Sequence, residues 1–153
     1  LLPNSVFLDG DWCWNIHPFQ VTEETKALVL DNICYLLNRF LRCSLVESVI
    51  FCWVMDLQST LDEILSRLDT SDCRVKSISL VCHPEVLLKR LQKDVDEGLR
   101  EPDILERAPA RLSRYGALDT VKLDVSASTP QEVAMQIAAQ QTGCAMMGGR
   151  DSP

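Results

Sequence analysis

The chain has 153 residues, of which 46% are hydrophobic and 24% charged, a composition that supports one globular domain with a core of its own. Its net charge of −7 leaves no broad basic footprint, so neither a nucleic acid nor a membrane surface is expected as a partner. Seven cysteines without a Cys-x-x-Cys pair argue for a reducing, cytoplasmic setting over a disulfide or zinc framework, and no apolar stretch is long enough to span a bilayer.

In chain order, Leu1-Leu2-Pro3-Asn4 lacks a Met and runs at once into a strand, as though an earlier helix had just ended, so truncation is expected. Val6, Phe7 and Leu8 have the apolar character of a strand covered on both faces, which places Asp9 and Asp11 at its carboxyl end. In open α/β sheets that is the edge where ligands bind. Two acids separated by Gly10 point the same way if the backbone stays extended, and can then share a metal ion or divide base and binding duties. The bland alternative is a solvated Asp-Gly turn. Trp12 to Phe19, with Pro18, reads as a loop whose Trp12, Trp14 and Phe19 either wall a pocket or cap the core edge. His17 in that loop is either a proton carrier or a solvated side chain.

Thr22 followed by Glu23 and Glu24 predicts a helix start, and Val29, Ile33, Leu36, Leu37 and Phe40 carry the helix to about Cys43. Ser48–Met55 predicts a central strand, with Asp56 as a cap just past its end. A short helix over Leu61–Leu68 and a strand over Val75–Cys82 follow, and Pro84 opens a helix to about Gly98. Arg100, Arg107, Arg111 and Arg114 lie in a basic, proline-broken segment closing on Tyr115, for which a salt-bridged surface helix is the plain alternative. Thr120–Val125 is the last strand. Thr129-Pro130-Gln131-Glu132 matches a capping box opening a helix to about Gln141. The domain is thus expected over 1–142, with a flexible tail over 143–153. Strands alternating with helices predict an α/β fold with one parallel sheet covered on both faces.

Read together, the acids, the arginines and the last strand resemble the P-loop small-molecule kinases. Leu8-Asp9-Gly10-Asp11 is similar to the Asp-x-Asp after the second strand of adenylylsulfate, shikimate and gluconate kinases. Arg90 to Tyr115 is similar to their mobile lid, and Leu123-Asp124-Val125-Ser126 with Thr129-Pro130-Gln131-Glu132-Val133 to the strand and helix bordering the adenine site. The likeness covers about residues 5–140 and implies a three-layer P-loop sheet. It also implies ATP and Mg²⁺ as cofactors, and phosphoryl transfer to a hydroxyl of a small-molecule acceptor.

On that resemblance Asp9 is the catalytic base or an outer-sphere magnesium ligand, and Asp11 orients the acceptor hydroxyl. Trp12 and Trp14 shape its pocket. Arg107 and Arg111, with Arg114 on the substrate side, neutralise phosphate charge, and Thr129 and Pro130 border the nucleotide. The family's Gly-rich phosphate loop is expected about 20 to 30 residues upstream of Asp9, on a strand between those of Ser48–Met55 and Val75–Cys82. Without that strand the sheet is expected to have a gap there. A nucleotide-binding or structural domain without phosphate chemistry is one alternative. A metal-dependent hydrolase is the other, although no third acid or histidine stands at ligand spacing near Asp9 and Asp11. The acceptor and the oligomeric state are left open by the sequence.

Overall fold

The computed structural model describes residues 2–142; the predicted tail, 143–153, lies outside the described residues. Five α-helices and two small parallel sheets make up a mixed α/β fold. In order these are β1 (Ser5–Asp9), a 3-10 helix (Gly10–Trp14), α1 (Glu23–Leu41), β2 (Ser48–Cys52), α2 (Gln58–Ser66), β3 (Ile78–Val81), α3 (Pro84–Asp96), α4 (Ile104–Ala117), β4 (Val121–Asp124) and α5 (Pro130–Thr142). Among the described residues no helix is long and apolar enough to cross a membrane.

The predicted alternation holds, and every observed strand pair is parallel. One continuous sheet does not form. β1 pairs with β2 in the register Asp9↔Cys52, and β3 pairs with β4 in the register Val81↔Asp124, as two separate sheets. The break falls between the β1–β2 pair and the β3–β4 pair. Among the described residues each of the four strands has a strand partner on one edge only.

The expectation of coverage on both faces is corrected by the same observation. Leu8 turns inward with Val49 and Phe51 against a core of Val29, Ile33, Cys34 and Leu37 from α1 and Ile64 from α2. The alternate residues Phe7 and Ile50, opposite one another in the register, are 47% and 40% exposed. In the second sheet Leu80 is 53% exposed. Parallel strands are ordinarily apolar on both faces because both are covered, and these strands have the sequence for it without the covering layer.

Helix ends follow the predicted chemistry. The Thr22 hydroxyl accepts from the Thr25 N–H at 3.1 Å and the Thr22 N–H donates to the Thr25 hydroxyl at 2.8 Å, a reciprocal cap. At α5 the Thr129 N–H donates to Glu132 Oε2 at 2.7 Å and the Glu132 N–H donates back to the Thr129 hydroxyl at 3.3 Å. Several predictions need revision, among them the strand predicted from Val75, which begins at Ile78. Trp12–Trp14 belongs to a 3-10 helix and not to a loop. The strand predicted to Met55 ends at Cys52. Of the basic segment, read as proline-broken, Ile104–Ala117 is a continuous helix in which Pro109 is internal, while Arg100 and Pro102 lie before it. Leu105, Ala108, Leu112 and Tyr115 recur on its half-buried side, and that packing outweighs the one backbone hydrogen bond a proline removes.

Ile33 has no exposed surface and joins α1 to β1. Ile33→Ala is expected to cost about 2 to 5 kcal/mol, read as a lower urea midpoint at unchanged slope.

Candidate functional site

The first cluster forms where β1 and β2 end side by side. Asp9 is the last residue of β1, and Gly10 starts the 3-10 helix immediately, so the backbone does not stay extended between the two acids. The Asp9 carboxylate turns onto the new helix instead, and its Oδ1 accepts the Asp11 N–H at 3.0 Å. Asp9 is therefore a helix cap with one oxygen committed and Oδ2 without a protein donor among the described residues.

Asp11 is fixed by a residue the sequence reading passed over as strand. Trp53 follows β2 directly, and its indole N–H donates to Asp11 Oδ1 at 3.1 Å. The ring lies flat on Gly10: a Cβ there would stand 2.6 Å from Trp53 Cδ1 and 2.9 Å from its Cβ. Glycine is required at position 10 for this approach. Cys52 sits opposite Asp9, and burial, followed by the charges of Asp9 and Asp11, pushes its thiol up.

The aromatic residues divide. Trp14 packs against the core and lies 5.8 Å from the Phe19 ring, as the core-edge reading expects. Trp12 is 62% exposed and meets Phe7 edge-to-face at 5.7 Å. It remains the ring available to a ligand beside Asp11.

A second cluster lies four residues past the end of β2. Asp56 was expected as a cap, but Leu57 occupies the N-cap of α2 with no side-chain hydrogen bond. The Asp56 carboxylate instead accepts from Arg114 Nη1 at 2.8 Å, with Arg111 Nε 3.9 Å from the same Oδ2. Tyr115 stands nearby, its phenol pushed up by burial first and then by Asp56, with Arg111 opposing. Arg107 is not part of this group. It forms a two-pronged pair with Asp103, the residue just before its own helix, at 2.8 and 3.2 Å. Arg100 pairs with Asp94 at 3.0 Å. Neither Asp9 nor Asp11 takes part in an ion pair among the described residues.

The third cluster belongs to β3 and β4. Thr129 and Pro130 start α5 above a cavity of about 470 Å³ lined by Leu80, Arg90, Val125, Ser128, Val133 and Ile137. Arg90, on α3, ties the loop before α5 in place: its Nη2 donates to the carbonyls of Val125 at 2.9 Å and Ser126 at 3.3 Å. No local pattern marked Arg90, because the carbonyls it serves lie 35 or more residues away. His83 and Asp124 meet at the carboxyl end of this sheet, 3.9 Å apart. The Ser126 hydroxyl and N–H hold the Asp124 carboxyl below its ordinary value.

For a metal, Asp9 Oδ2 and Asp11 are the carboxylate oxygens at the β1 end. Among the described residues no group of three or more His, Cys, Asp or Glu could hold an ion. Two carboxylates do not form an all-protein cage; a Mg²⁺ held there would take most of its ligands from water and phosphate.

No protein-family model and no curated protein matches the chain. Among solved structures, it is similar to the tunicamycin resistance protein of Deinococcus radiodurans. The two share a fold. The match covers 91% of this chain and 83% of that one, with a TM-score of 0.58 and 19% sequence identity.

Gly10→Ala is expected to drive Trp53 off Gly10, break its bond to Asp11 and shift its fluorescence to the red; an unchanged emission spectrum would contradict the contact. Glu132 gives a pH signature. The Thr129 N–H and hydroxyl hold its carboxyl below the ordinary 4.5. The stabilisation is therefore complete above 4.5 and is lost as pH falls through the lower folded value. Glu132→Gln should lower the melting temperature at neutral pH and remove that share of the acid dependence, as read by melts across the acid range.

Proposed function

We propose that the chain is the acceptor-binding and lid-bearing part of an ATP-dependent phosphotransferase that moves a γ-phosphate to a hydroxyl group of a small molecule. The observation that supports this reading best is that Asp9, Asp11 and Trp53 meet at the carboxyl ends of two parallel strands, with Asp56 and its arginines four residues past the end of β2. That is the edge where α/β sheets bind ligands. The open edges of β2 and β3 support it further. A strand inserted there would complete the sheet and present its following loop at the same edge, and a phosphate-cradling loop at that position is what the reaction requires.

In this reading Asp11, aimed by Trp53, accepts a hydrogen bond from the acceptor and orients it. Asp9 Oδ2 takes the proton of the attacking hydroxyl. The hydroxyl oxygen bonds to the γ-phosphorus as the bond to the bridging oxygen breaks, and ADP leaves. Mg²⁺, when bound, neutralises phosphate charge. Arg111 and Arg114 sit on one helix and neutralise the phosphoryl oxygens from the other side. Arg107 would first have to leave Asp103. Thr129, Pro130 and the apolar cavity beneath them offer a flat, dry surface to a base. The tunicamycin resistance protein supports the fold and leaves the acceptor undefined, since one fold serves many acceptors.

Two measurements test the proposal on the full chain. Mg²⁺ and ATP together should raise the melting temperature, because a ligand that binds only the folded state stabilises it by mass action. Asp9→Asn should lower phosphoryl transfer by about 10² or more while leaving nucleotide affinity nearly unchanged. Undiminished turnover in Asp9→Asn would remove Asp9 from the reaction.

A further inference from the structure

The lid-side arginines are each already paired with an aspartate, and one of these pairs is unlike the others. Arg100–Asp94 and Arg107–Asp103 are local, spanning six and four residues. Arg114–Asp56 spans 58 residues and ties α4 to the segment after β2. The Asp56 side chain is only 16% exposed, against 45% and 53% for Arg111 and Arg114. It caps no helix, and its polar partners among the described residues are these two guanidinium groups. A carboxylate drawn out of water to meet two cations on the outer side of a site is placed as an anion ligand would be.

We infer that Asp56 is an internal counter-anion that latches Arg114 and Arg111 in the unliganded chain and that an incoming phosphate displaces. The inference deepens the phosphotransferase reading and rests on it for the identity of the anion. Carboxylate and phosphate oxygens use the same guanidinium donors, so both cannot hold Arg114 Nη1 together. The two arginines are unequally engaged. Arg114 is hydrogen-bonded to Asp56 at 2.8 Å, while Arg111 approaches only through Nε at 3.9 Å, and no hydrogen bond involves its terminal amino groups among the described residues. Two arginines against one carboxylate leave a net charge of +1, which attracts an anion to Arg111 first. The anion then competes with Asp56 for Arg114. Release of Arg114 frees α4 from the β2 side, so phosphate binding and movement of this helix are one event.

The sign of the effect separates a latch from a simple structural tie. Asp56→Asn keeps the shape and removes the competing charge. The test is the apparent Kd of inorganic pyrophosphate, by NMR titration of the full chain. Asp56→Asn should tighten it about five- to tenfold, and Asp56→Glu should leave it near the unmodified value. Arg111→Gln and Arg114→Gln should both weaken it. Equal or weaker binding by Asp56→Asn overturns the latch, as does absence of pyrophosphate binding by the unmodified chain.

A second measurement needs no variant. Saturating pyrophosphate should increase amide hydrogen exchange in α4; decreased or unchanged exchange means that Arg114 stays on Asp56 and overturns the inference. ATP-dependent transfer is measured alongside. If transfer fails while Asp56→Asn still tightens pyrophosphate, the kinase reading falls and the latch stands. If transfer succeeds while Asp56→Asn changes nothing, only the latch falls.

Discussion

A parallel strand needs hydrogen-bond partners along both edges and apolar cover on both faces, and this requirement governs the arrangement of the whole chain. β1 and β2 satisfy it on one shared edge and one face, the face held by α1 and α2. β3 and β4 satisfy it along their shared edge, where the buried Ser79 hydroxyl pairs with that of Thr120 at 2.7 Å. Among the described residues this leaves each of the four strands one open edge, with Phe7, Ile50 and Leu80 exposed on otherwise apolar strands. A strand paired to β2 on one side and to β3 on the other would satisfy two of these edges. Under the phosphotransferase proposal, the loop after such a strand would emerge at the same end as Asp9 and Asp11.

That end is organised by one close contact. Gly10 lets Trp53 lie on the backbone, and the indole N–H reaches Asp11. The Asp9 carboxylate starts the 3-10 helix that carries Asp11 away from the strand. The two acids are therefore held by different means, one by a backbone N–H and one by an indole. Equivalence, as in a pair of carboxylates sharing one ion, is not what the arrangement provides. A division of roles between base and orienting group suits it better.

Charge is handled in the same economical way. In a chain of net charge −7, Arg100, Arg107 and Arg114 each face an aspartate. Half-exposed pairs of this kind contribute little to stability. Their value lies in keeping guanidinium groups in place at low cost until a stronger anion competes. The pair that reaches across 58 residues to Asp56 is the one that connects α4 to the site.

The sequence by itself determined the element order, the parallel α/β character, the caps at Thr22 and Thr129, and the placing of Asp9 at the end of a strand. These depend on periodicity, on local hydrogen bonding and on residues within four positions of one another, all of which are written along the chain. It did not show that Trp53 leaves the strand to bind Asp11, that Asp56 serves arginines instead of a helix end, or that Arg90 closes the loop before Thr129. Each of those contacts joins residues 35 or more positions apart. The helix through Pro109 and the division of the sheet into two pairs were likewise decided in three dimensions. Packing of a half-buried helix face outweighs the loss at one proline, and strand pairing depends on which edges find partners, a property no strand carries in its own sequence.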